Sequence, residues 1–265
     1  LPPPPPPPPP VGSPLQCASS PSGVYSGSFP PSPMTLSPAA MQLRFQSDEI
    51  INRAGVLAIF GPSPPPDLTC DNGNPHVVTD YFGVLSDGPG SYAAETNCRW
   101  TLAPPGATEI SLAFVDVATA YETDLIHVEA CSDQTCMDAS PIAGSPFSGF
   151  LVPAAVSVEA PVVRVSFDPS TSSNFQGFEL AFAAGPLAQC DSAAALSPQY
   201  RHSGIITTPR AASSFNYPPD LDCGWELYGP GQSAVLTFLS FHTEINYDEF
   251  FVTQCTPPAN PPPPP

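Results

Sequence analysis

Lysine is absent from the 265 residues; the six basic residues are all Arg, against 24 acidic ones, for a formal net charge of -18. Six scattered Arg cannot build the basic face that neutralises phosphates, which excludes nucleic-acid binding. A polybasic membrane anchor is excluded for the same reason. No apolar run approaches the length that crosses a bilayer, so no membrane span is expected. The sequence holds no HExxH, no GxSxG, no Gly-rich phosphate loop, and no Cys/His set at zinc spacing. The chain therefore reads as non-catalytic. None of its Asn residues lies in an Asn-x-Ser/Thr acceptor. It starts at Leu1 with no charged-then-apolar leader and reads as a window from a longer polypeptide.

Proline is abundant, with 41 residues, but unevenly placed. Pro2 to Pro10 and Pro261 to Pro265 are unbroken runs. Such runs take the stiff polyproline II helix, so residues 1–11 and 257–265 are expected to be rods flanking a globular body. The eight Cys fall at 17, 70, 98, 131, 136, 190, 223 and 255. An even count without metal spacing reads as a disulfide framework in an oxidising compartment. Trp100 and Trp225 read as core residues beside those Cys rather than as sugar platforms.

Two stretches repeat each other. Cys70 to Cys131 contains NCRW, FVDV, YETD and LIHVEAC; Cys190 to Cys255 contains DCGW, FLSF, NYDEF and FVTQC. Phe114 and Asp124 are spaced as Phe238 and Asp248 are, and Asp124 to Cys131 as Asp248 to Cys255. The first copy continues to Phe182. The second stops in a Pro run, but residues 41–60, MQLRFQSDEIINRAGVLAIF, match that missing ending. Phe45 aligns with Phe167, Gly55 with Gly177 and Phe60 with Phe182. Residues 12–61 thus read as the back half of a domain and 190–256 as its front half, with 70–184 a complete domain and 62–69 a linker. WTLAP, ISLAFVDV, VVRVSF and FELAF alternate apolar with small or polar residues between turn signals, which argues an all-β sandwich.

The order Cys, SGIITTPR, FNYP, CGW, FLSF, NYD and the late SD resembles the CUB domain. That resemblance implies an extracellular antiparallel β-sandwich of jelly-roll-like topology. It implies the pairs Cys70–Cys98, Cys131–Cys136, Cys190–Cys223 and Cys255–Cys17, the last across the Pro-rich stretch. It also implies a calcium site of Glu244, Asp248 and Asp48, buttressed by Tyr247, because calcium wants several hard oxygen ligands. The central domain keeps Asp124 but has Ala120 and Ser170 in the other two places, with Glu122 or Asp168 as substitutes. In such domains calcium-held carboxylates grip a Lys or Arg of a partner.

The Pro and Ser-Pro bias resembles the hydroxyproline-rich matrix glycoproteins of green algae. That likeness implies O-linked glycans on hydroxylated Pro2, Pro3, Pro4, Pro5, Pro6, Pro7, Pro8, Pro9, Pro10, Pro261, Pro262, Pro263, Pro264 and Pro265. The leading expectation is a structural glycoprotein of an extracellular matrix, cell wall, surface appendage or fibre, partnered by neighbouring copies or other matrix glycoproteins. The alternatives are a calcium-dependent CUB adhesion or recognition protein, and the non-catalytic part of a secreted enzyme. A direct join of the two Pro runs, roughly 46 Å of rod, barely fails to close a loop through flanks reaching about 36–40 Å. The two halves are therefore expected to meet either within one chain or between neighbouring copies.

Overall fold

The computed structural model describes residues 16–36, 40–70, 75–94, 96–170, 175–190, 197–199, 203–210, 215–228 and 233–256. The expected rods, with Pro2 to Pro10 and Pro261 to Pro265, lie outside them. The described residues form strands and no helix. The first five strands are β1 (Gln16–Cys17), β2 (Gly23–Tyr25), β3 (Met34–Leu36), β4 (Ala40–Gln46) and β5 (Gly55–Gly61). Next come β6 (Asp67–Thr69), β7 (Pro75–Val78), β8 (Phe82–Ser86), β9 (Cys98–Leu102) and β10 (Ile110–Ala118). They are followed by β11 (Leu125–Cys131), β12 (Ser140–Pro141), β13 (Val156–Val158), β14 (Val162–Asp168) and β15 (Gly177–Ala184). The chain closes with β16 (Ala188–Gln189), β17 (Ser197–Gln199), β18 (Gly204–Thr207), β19 (Asp222–Tyr228), β20 (Ala234–His242) and β21 (Glu249–Thr256).

Strands β6 to β15 make one sandwich of two sheets, ordered β13-β10-β15-β8-β6 and β12-β11-β14-β9-β7. The other strands make a second sandwich with the same plan, ordered β3-β20-β5-β18-β16 and β1-β21-β4-β19-β17, with β2 also on β21. Within each sheet the long strands run antiparallel. Each sheet closes on one short parallel edge pair: β6 on β8, β7 on β9, β16 on β18 and β17 on β19. The all-β antiparallel sandwich expected from the sequence is thus what forms, with these short parallel pairs at its edges. Two of them also shift boundaries: Asp67–Thr69 is a strand of the central sandwich rather than linker, and Ala188–Gln189 belongs to the second one. The linker expectation rested on Pro content, and a strand this short is held by its neighbour's backbone rather than by its own composition.

The second sandwich is assembled from both ends of the chain. β4 lies between β19 and β21, and β5 between β18 and β20. Cys223 stands opposite Phe45 as Cys98 stands opposite Phe167. Each sandwich has its own core, one around Trp225, Phe45 and Phe250, the other around Trp100, Phe167 and Phe182. Both Trp are fully buried. A third apolar cluster of Leu57, Ile59, Phe82, Ala113, Ala181, Ala183 and Ile205 joins the outer faces of the two inner sheets. This explains why every residue of β5 is buried: Val56, Ala58 and Phe60 face their own core, while Leu57 and Ile59 face the neighbouring sandwich. A strand covered on both faces reads as a continuous apolar run, as GVLAIFG does.

Candidate metal centre

The turn after β20 and the loop after β4 bring Glu244, Asp248 and Asp48 together at one end of the second sandwich. A carboxylate oxygen of each lies within 4.8 Å of the other two. Among the described residues this is the one such group of acidic, His or Cys side chains. Local backbone bonds fix it. The Asp248 N–H donates to the Glu244 carbonyl at 3.1 Å, closing the turn. The Asp48 N–H donates to Asp248 Oδ1 at 2.8 Å, tying the two loops. Ile50 N–H donates to Asp48 Oδ1 at 3.0 Å. Asp248 is fully buried, and its Oδ2 accepts the Tyr217 hydroxyl.

Glu244 is the discordant member. Its Oε2 is enclosed and has no hydrogen-bond partner among the described residues. Desolvation, then the Asp48 and Asp248 charges, raise its pKa above the ordinary carboxylate range, with Arg53 opposing. Like charges crowded without a cation disfavour ionisation. Burial and the bond to Asp248 also push the Tyr217 hydroxyl far up, so it stays a donor.

Tyr247, expected as the buttress, is 66% exposed. Tyr217 does that work from the FNYP loop, packed edge-on against Phe45 at 5.1 Å. A signal was available: Tyr217 precedes Cys223 by the same six residues that separate Tyr92 from Cys98.

The central sandwich holds the same frame around Asp124 without the other two carboxylates. The Tyr92 hydroxyl donates to Asp124 Oδ2, the Ser170 N–H to Asp124 Oδ1 at 2.7 Å, and the Asp124 N–H to the Ala120 carbonyl at 3.1 Å. Ala120 and Ser170 supply no acid, and neither Glu122 nor Asp168 joins Asp124 in a three-carboxylate group among the described residues. The frame thus persists where the acid cluster is missing. The Asp–Tyr contact is common to both sandwiches, and the other two acids are not needed for it to form.

The disulfides join Cys17 to Cys255, Cys70 to Cys98, Cys131 to Cys136 and Cys190 to Cys223. No described Cys is free. Of the His residues, His76, His127 and His242 join no metal-ligating group, and His202 lies outside the described residues.

Residues 75–182 match the family model of the CUB domain, so a CUB domain is present in the chain. Cubilin of the pig, Sus scrofa, is 25% identical over 224 residues, which cover 82% of this chain and 6% of cubilin. The chain therefore spans only a small part of the curated relative it matches. Among solved structures, the MASP-1 CUB2 domain bound to Ca2+ aligns over 43% of this chain and 100% of that one, at 21% identity and a TM-score of 0.35. The CUB1-EGF-CUB2 domains of rat MASP-1 align over 64% and 97%, at 14% identity and a TM-score of 0.35. The CUB domain and the four disulfides indicate an extracellular or secreted protein.

Proposed function

We propose that the chain is a calcium-dependent extracellular recognition or adhesion module, with Asp48, Glu244 and Asp248 holding the ion. The observation that supports this most is the enclosed, partnerless Glu244 Oε2 among two further carboxylates. Three converging carboxylates suit a hard divalent cation that takes oxygen ligands. Bound there, calcium would offset the mutual repulsion and leave carboxylate oxygens facing outward for a basic group. Tyr217 orients Asp248, and the Asp48 backbone fixes the distance between loops. Ile50 and Ile245, 78% and 64% exposed, flank the acids in the chain and offer apolar contact around a Lys or Arg.

Calcium should raise the melting temperature of the full chain over chelator, and Glu244→Ala or Asp48→Ala should remove that rise. A calcium-dependent affinity for a Lys-containing peptide should vanish with Glu244→Ala. Equal peptide binding in chelator would instead mark it as a general effect of net charge. Calcium affinity should also weaken on acidification at a higher pH than an ordinary Glu would give, because the raised Glu244 must lose its proton to bind.

A structural matrix reading, with glycosylated Pro rods, is favoured by one feature. Gln16 and Thr256 are paired neighbours, so both Pro-rich flanks begin at one point on the second sandwich. Intact mass after deglycosylation tests it: a mass equal to the bare sequence would dismiss the glycosylated rods.

A further inference from the structure

A cavity of about 480 Å³ opens where the two sandwiches meet. Val115 and Phe150 line it from the central sandwich, and Leu57, Thr208, Arg210 and Phe215 from the second. It lies beside the apolar cluster that locks the inner sheets together, so its walls come from two bodies already held in place. Its volume is that of a small-molecule site, and junctions between domains are where such sites concentrate.

Arg210 is the distinctive group. In a chain of net charge -18, Arg44 pairs with Asp222 and Arg164 with Glu129, while Arg53 lies in the field of Glu244. Arg210 is half-buried, and its Nη1 donates to the Val152 carbonyl at 2.6 Å. No carboxylate among the described residues pairs with it. Burial alone lowers its pKa, yet a guanidinium stays charged. A half-buried cation is thus held against the cavity, and among the described residues the one acceptor its fork meets is the Val152 carbonyl. Burying a charge without a counter-ion is costly unless a ligand supplies one.

We propose that this cavity binds a small organic monocarboxylate with an apolar body. The fork of Arg210 matches a carboxylate in two-point geometry. Phe150 and Phe215, 68% and 54% exposed, with Val115 and Leu57, present apolar surface to the rest of the ligand. The other titratable groups lining the cavity are Asp116 and His242. Asp116 is exposed and its Oδ1 takes the Val117 N–H at 2.9 Å. A second negative charge on the ligand would face that carboxylate with no further cation to offset it, which disfavours phosphate and dianions.

The test uses the full chain with 3-phenylpropionate, its neutral amide 3-phenylpropionamide, and the variant Arg210→Gln, read by calorimetry. The acid should bind with a dissociation constant of about 1 mM or tighter, as a ligand of this size reaches. The amide should bind at least about tenfold more weakly, and Arg210→Gln should bring the acid to the level of the amide. Chelator should leave all three values unchanged, which separates this site from the carboxylate cluster. Equal binding of acid and amide, no binding of either, or full binding by Arg210→Gln would overturn the proposal. Should Arg210→Gln fail to fold, the acid-against-amide comparison on the unaltered chain decides.

Discussion

Asp87 and Thr208 occupy the same place in the two sandwiches and solve one problem with different chemistry. Each accepts the first backbone N–H after a left-handed glycine: Phe178 N–H to Asp87 Oδ1 at 2.6 Å, Val56 N–H to Thr208 Oγ1 at 3.1 Å. Gly177 and Gly55 have φ of 89° and 90°, and a Cβ on either would stand 2.0 Å from the accepting side chain. The Asp carries a penalty the Thr avoids. Burial pushes the Asp87 carboxyl up to about 6, the Phe178 bond opposing and the Glu179 charge adding to the rise. A carboxyl whose folded pKa exceeds its unfolded one binds protons more tightly when folded, so stability falls as pH rises from about 4 to about 6. Asp87→Thr, which keeps the acceptor, should therefore stabilise the chain near neutral pH by about 1 kcal/mol after screening. That gain should vanish near pH 4 in denaturant melts; an advantage independent of pH would contradict the assignment. The carboxylate cluster was legible at this scale only in part. Asp48, Glu244 and Asp248 are all found through the likeness to a CUB domain; the spacing of Asp248 to Cys255 marks only the repeat. The sequence points to Tyr247, the chain neighbour of Asp248, rather than to Tyr217, because the Tyr217–Asp248 contact spans two loops. The raised pKa of Glu244 depends on enclosure, which no spacing encodes.

At the scale of elements, the turn after β10 and the turn after β20 are the same scaffold with and without acids. Transferring the missing pair should therefore transfer the site. On the proposed calcium site of the second sandwich, Ala120→Glu with Ser170→Asp should raise the calcium stoichiometry of the full chain from one to two, measured by calorimetry. A stoichiometry of one in a folded variant would mean that Tyr92 and Asp124 do not suffice to orient three carboxylates. The long strands β4, β5, β10, β14 and β15 were readable as alternating or continuous apolar runs, because they cover a core on one face or both. The edges β6, β16 and β17 were not. Two or three residues carry no period, and their place is set by the open hydrogen-bonding edge beside them. The junction between sandwiches was equally hidden: Leu57, Ile59, Ala181 and Ala183 sit in runs that look like ordinary core.

For the whole molecule, the second sandwich depends on residues from opposite ends of the chain, with a central sandwich strung between them. Cys17 and Cys255 are 238 residues apart, against five for Cys131 and Cys136. In the chain-entropy account the longer loop contributes about 5 kcal/mol and the shorter about 2 kcal/mol. Replacing Cys17 and Cys255 by Ser should thus lower stability to denaturant well beyond the same change at Cys131 and Cys136. Equal losses would show that the unfolded chain is already restrained by its other links. The adjacency of β1 and β21 also bears on mechanics. Tension applied between Gln16 and Thr256 would run through two paired backbones and one sulfur–sulfur bond, by the shortest route across the molecule. Apart from that edge pair of the second sandwich, neither sandwich would lie in the line of force, so the protein would transmit a pull like a clasp, without lengthening, for as long as that bond stayed oxidised.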